Sequence, residues 1–232
     1  MGQHKIRFTA EKLERLLQEV RARIYRERLP VAVRLSASDL PDGHVADATS
    51  WPPVATGDVW GGFDQWRWFR AELRVPEAWT GQRVAVVARL GHPQAPIYPE
   101  ALAYLDGVAV QGIDRNHTEL LLADPARGGE RYDLALHAWC TMHAWNPNWP
   151  FTQFFSGVEL VTIDPPTRRL CHLAEAALDA ARALDANSWA RGAILNALDD
   201  AFQLLDLRLG GDFYASVPAA LAALEAGLAA HA

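Results

Sequence analysis

EALAYLDGVAVQGIDRNHTELLL, residues 100–122, holds two apolar runs, Ala101–Leu105 and Val108–Gly112, joined by Asp106-Gly107. Both central positions of a type I′ turn need positive φ, and Asp-Gly is among the pairs that supply it at low cost. The stretch therefore reads as a two-residue β-hairpin. The polar group Asp114, Arg115, Asn116 and His117 follows its second strand, where polar loops collect.

The same period extends on both sides of the hairpin. In WFRAELRVP, residues 68–76, Phe69, Ala71, Leu73 and Val75 share one side, and Arg70, Glu72 and Arg74 share the other. RVAVVARL at 83–90 is a buried run. RYDLALHAW at 131–139 alternates through Tyr132, Leu134 and Leu136, and FFSGVELVTID closes the region at 154–164. Short strands punctuated by turn residues, with no helical pattern between them, predict an antiparallel sandwich over residues 58–164.

Helical patterns flank this region. In residues 1–57, Thr9 is a candidate cap and Ala10, Leu13, Leu17, Val20 and Ile24 make one apolar stripe that Pro30 ends. A loop rich in Pro, Gly, Asp and Ser follows, from Ser36 to Gly62. A lone amphipathic helix is marginal in water, so its stripe must pack elsewhere. In residues 165–232, Pro165-Pro166 opens a helix with Leu170, Leu173, Ala177, Leu178, Ala181 and Leu184 on one face. Ser188 is a candidate cap for a second helix through Leu195, Leu198, Phe202, Leu205 and Leu209, stopped by Gly210-Gly211. Ser216 and Pro218 open a third, bearing Leu221, Leu224 and Leu228. The fold class expected is α+β: a sandwich with a helix before it and about three after it. The alanine-rich amphipathic end suggests a chain that continues past Ala232.

Composition narrows the function. The 232 residues are 50% hydrophobic with a formal net charge of −6, both signs being scattered. A nucleic-acid footprint needs a concentrated basic face, so none is expected. No apolar run is long enough to span a membrane, and MGQHKIRF is too polar for a signal peptide. Cys140 and Cys171 make no disulfide framework, which favours a reducing, cytoplasmic home.

Catalytic patterns are missing. There is no nucleophile elbow, Walker loop or dinucleotide fingerprint, and the eight histidines show no metal-ligand spacing. His137, Cys140 and His143 would meet a metal only if a loop folded back. Nine tryptophans are clustered, as sugar-stacking or core-filling side chains would be. Asp114, Arg115, Asn116 and His117 also have two readings. They could hold sugar hydroxyls, or Asp114 and Arg115 could pair while Asn116 supports the turn.

WRWFRAELRVPEAWTGQRVAVVARL at 66–90, followed by the hairpin stretch, resembles the N-terminal, non-catalytic region of glycoside hydrolase family 38 α-mannosidases, cytosolic and vacuolar branch. Val75, Pro76 and Trp79 match its VPxxW turn, and Asp106, Gly107, Gln111 and Gly112 match its DGxPxQG hairpin. The VELVTID strand at 158–164 also fits. Pro99 departs from the glycine that the family places before Glu-Ala-Leu. The resemblance implies a galactose-binding-type jelly roll that supports a zinc-dependent retaining α-mannosidase. The family's HxHxD zinc motif is absent, so zinc is expected in a catalytic domain beyond this chain and no cofactor within it. Implied partners are that catalytic domain, further copies in a homo-oligomer, and a glycan. Asp114, Arg115, Asn116 and His117 would then line a domain interface or cleft rim. The alternative is a stand-alone carbohydrate-binding sandwich.

Overall fold

The structure is a computed structural model that describes residues 3–92, 94, 98–140 and 153–230. Its first half comprises α1 (Gln3–Ala22), β1 (Tyr25–Pro30), β2 (Val33–Leu35), β3 (Pro53–Val54), β4 (Val59–Trp60), β5 (Gln65–Arg74), β6 (Arg83–Arg89) and β7 (Glu100–Leu105). After these come β8 (Val108–Ile113), β9 (Glu119–Ala123), β10 (Arg131–Cys140), β11 (Gln153–Phe154), β12 (Gly157–Ile163), α2 (Pro165–Ala183), α3 (Trp189–Gln203) and α4 (Phe213–Ala229). Two compact units result. Residues 27–162 form one, and residues 1–26 with 163–232 form the other. The fold is α+β.

In the β unit a six-stranded sheet runs β3-β2-β5-β10-β7-β8 and a four-stranded sheet runs β1-β12-β6-β9; β11 and β4 pair separately. The hairpin forms as its turn residues require. Asp106 has φ 51° and Gly107 φ 80°, and β7 pairs antiparallel with β8. The register shifts between Ala103 and Tyr104, so β8 carries a bulge.

Inward residues of both sheets build one core. Phe69, Leu73 and Val75 lie in one cluster with Val84 and Val86, Leu134 and Leu136, and Val158 and Leu160. Each such side chain contributes about 1.5–3 kcal/mol by leaving water. Strict alternation fails on the outer face of β5, where Trp68 is 1% exposed and Arg70 9%. The segment from Ser36 to Trp51 lies over them. Trp68 Nε1 donates to the Leu40 carbonyl at 2.8 Å, and Arg70 Nη1 donates to Gly43 O at 3.0 Å and Ala46 O at 2.8 Å.

In the helical unit, Leu13, Leu17 and Val20 are buried, and α1 packs on α2 and α3. Several local expectations change. Helix α1 begins at Gln3 and ends at Ala22, so Thr9 lies within it and not at its start. Ile24 is still buried, but Pro30 terminates β1 and not the helix. Helix α2 starts at Pro165 as expected, and its face ends early, since Leu184 is the C-cap residue and 37% exposed. Helix α3 keeps Leu195, Leu198 and Phe202 buried and stops at Gln203; Leu205, past its end, is also buried, whereas Leu209 is fully exposed. Past the helix, the Asp206 carboxylate accepts from the Arg208 guanidinium, at 2.7 Å through each of Nε and Nη2. Helix α4 opens one turn earlier than Ser216, because the Asp212 carboxylate accepts from Ala215 N at 3.0 Å; Pro218 is inside the helix.

Candidate functional site

The pairing of β5 with β10 sets Trp66 opposite Trp139 and Trp68 opposite His137. Residues two apart share a face, so all four stand on the outer face of the six-stranded sheet. Trp66 and Trp139 lie 5.7 Å apart, 21° from parallel, and Trp66 lies 4.7 Å from His137. Trp68 and His137 stack at 4.0 Å and 4°. Tyr104 of β7 extends the row beside Trp68, and His44 stacks on Tyr104 at 5.0 Å.

One end of this row is covered and the other is open. A Cβ at Gly43 would meet the Trp68 ring at 2.3 Å, so the covering segment approaches as closely as only glycine allows. At the open end Trp66 is 39% exposed and Leu102, opposite His137 on β7, is 41% exposed. Two carboxylates edge it. Trp139 Nε1 donates to Asp64 Oδ1 at 2.9 Å, and His137 Nε2 lies 2.8 Å from Asp39 Oδ1. Clustering of tryptophans in the sequence hinted at this row. The cross-strand register that aligns Trp66 with Trp139 has no local signal.

Asp114, Arg115, Asn116 and His117 connect β8, an edge of one sheet, to β9, an edge of the other. They do not converge on a common point. Asp114 Oδ1 accepts from the backbone N–H of Asn116 and of His117, both at 2.7 Å, and His117 Nδ1 lies 3.0 Å from each Asp114 oxygen. The turn is thus held by Asp114 and not by the Asn116 side chain. The contact with His117, then burial opposing it, leaves the Asp114 carboxyl below its ordinary range. The Arg115 guanidinium lies over the Tyr98 ring, 5.6 Å from its centroid.

A cavity of about 870 Å³ opens beside the covered end of the row, lined by Arg34, Asp47, Arg70, Glu72, Tyr132 and Asp133 among others. Its charges are largely engaged with one another. Arg70 pairs with Asp133, and Arg131 reaches Glu72 at 3.2 Å. Arg70 Nε is buried without a hydrogen-bond partner.

No group of three or more His, Cys, Asp or Glu among the described residues could hold a metal ion. His137 and Cys140, three apart on β10, point to opposite faces of the sheet, and Cys140 is fully buried. His143, Trp145 and Trp149 lie outside the described residues. No helix among the described residues is long and apolar enough to cross a membrane.

Residues 29–178 match the family model described as the α-mannosidase jelly-roll domain. Human α-mannosidase 2C1 is 33% identical over 137 residues, which cover 54% of this chain and 12% of that protein. Among solved structures, a glycosyl hydrolase family 2 member from Bacteroides cellulosilyticus superposes with a TM-score of 0.41 at 18% identity, covering 60% of this chain and 21% of that one. A Faecalibacterium prausnitzii β-glucuronidase gives a TM-score of 0.40 at 14% identity, covering 61% and 32%.

Proposed function

Because the chain belongs to the α-mannosidase jelly-roll domain family, we propose that it is the N-terminal, non-catalytic domain of a longer cytoplasmic α-mannosidase polypeptide. The observation that carries this reading is the family match across residues 29–178, joined to a relative of which the matched stretch spans only 12%. Zinc and the hydrolytic carboxylates belong to the catalytic part of that polypeptide. The present chain supports it, and copies of the whole enzyme assemble as a homo-oligomer. The loop of Asp114, Arg115, Asn116 and His117 takes part in contacts with the remaining polypeptide and not in chemistry. What supports this is that the Asp114 carboxylate is already engaged by its own turn.

The test is an assay of the 232-residue chain with an aryl α-mannoside, together with metal analysis. Neither turnover nor one zinc per chain is expected. Turnover that follows the protein through purification would overturn the reading. In the longer polypeptide, Arg115→Ala and Asn116→Ala should lower the melting temperature or the oligomer content more than kcat. A fall in kcat of about a hundredfold, worth about 2.7 kcal/mol, with melting unchanged would place the loop in the active site.

A further inference from the structure

The aromatic row solves its exposure at one end only. There the segment from Ser36 to Trp51 lies over Trp68, and His44 stacks on Tyr104 at 26° from parallel. At the other end Trp66 stays 39% exposed although Trp139 and His137 both pack against it, and Leu102 beside it stays 41% exposed. An open apolar surface of this kind marks an interaction site more often than a lone exposed side chain does.

The groups at its edge define what it would take. Asp39 and Asp64 are each held through Oδ1, by His137 and Leu40 N in the first case and by Trp139 in the second. Each Oδ2 has no hydrogen-bond partner among the described residues. Two anchored carboxylates therefore offer acceptor oxygens beside an exposed indole. The carboxylates oppose a phosphate backbone. A protein contact also has an apolar centre and a polar rim, so the oligomeric state is one outcome of the test below. A pyranose meets both requirements: its C–H face packs on an indole and its hydroxyls donate to carboxylates.

We propose that Trp66, Trp139 and His137, with Asp39 and Asp64, form a binding platform for a pyranose unit of a glycan. The platform goes beyond the accessory role and does not depend on it, since it needs no mannosidase activity. It shares no residue with the loop of Asp114 to His117.

The experiment titrates the 232-residue chain with mannotetraose and, separately, cellotetraose, each to about 10 mM, reaching the millimolar range of Kd. Tryptophan fluorescence and calorimetry follow binding. Saturable binding of at least one is expected. Trp66→Ala should weaken it by about tenfold or more, and Asp64→Asn should weaken it while leaving Trp139 Nε1 an amide oxygen to bond. Asp179→Asn, at an exposed position of α2, should bind as the unmodified chain does. Circular dichroism melting checks that each variant is folded. If Trp66→Ala is not, Asp64→Asn and Asp39→Asn carry the test. No binding of either sugar, or binding unchanged in the folded variants, overturns the proposal. So does an oligomer in sedimentation that Trp66→Ala dissociates without any sugar signal, since the surface would then be a protein contact.

Discussion

His117 Nδ1 sits 3.0 Å from both carboxylate oxygens of Asp114, across a turn whose N–H groups at Asn116 and His117 already point at Oδ1. These contacts favour the charged carboxylate, and the His117 contact is the largest cause of its lowered pKa. A depressed carboxyl contributes stability that is complete above its unfolded pKa, about 3.9, and is lost as pH falls through the folded value. The side-chain carbon of Asp114 should therefore titrate by NMR below the ordinary aspartate range. His117→Ala should move that midpoint part of the way back, because the two backbone donors remain. The cluster is solvent-exposed, so the matching change in stability should stay small.

The two thiols should be inert while the chain is folded. Cys171 is buried, and burial, then the charge of Glu175, pushes its thiol up to about 11. Burial also raises that of Cys140. The thiolate is the reactive form. An aromatic disulfide reagent at about pH 8, below the Cys171 value and close to the ordinary thiol range, should titrate neither cysteine in the native chain and both in denaturant. Fast labelling of one thiol under native conditions would show that its surroundings open locally.

The sandwich was readable because its signals are local. Asp106-Gly107 supplies its own positive φ values, and the Phe69–Leu73–Val75 period follows from the pleat alone. Burial of Trp68 and Arg70 was not readable, since it depends on a segment 24 to 28 residues earlier folding back to offer the carbonyls of Leu40, Gly43 and Ala46. The short strands β2, β3 and β4 escape for a related reason: runs of two or three residues carry no measurable period. In the candidate sites, the residue types of the 114–117 loop were visible, but not which one would hold the turn. The alignment of Trp66 with Trp139 depends on a long-range register.

Two helix starts allow a direct comparison. Asp164 is 9% exposed and its Oδ2 accepts from Thr167 N at 3.0 Å and from Thr167 Oγ1 at 2.6 Å. Ser188 has the extended backbone of a cap but makes no side-chain cap bond. Asp164→Ala should cost about 1–2 kcal/mol in chemical denaturation. Ser188→Ala should cost less than about 0.5 kcal/mol. Equal losses would mean that Ser188 gains its bond in solution.

Two helical glycines should respond with opposite signs to the same substitution. Glycine inside a helix costs about 0.5–1 kcal/mol relative to alanine, so Gly→Ala is normally stabilising. Gly192 in α3 meets that expectation, because a Cβ there finds nothing within 4 Å. At Gly227 in α4 the Cβ would lie 2.7 Å from the Cβ of Ala197 in α3. A methyl so close to another methyl has no flexible side chain to displace, and the helices would have to separate. Overpacking of this kind typically costs about 1–3 kcal/mol, which exceeds the propensity gain. Gly192→Ala should therefore raise the denaturation midpoint and Gly227→Ala should lower it, with m unchanged in both. A Gly227→Ala protein as stable as Gly192→Ala would show that α3 and α4 do not meet at Ala197.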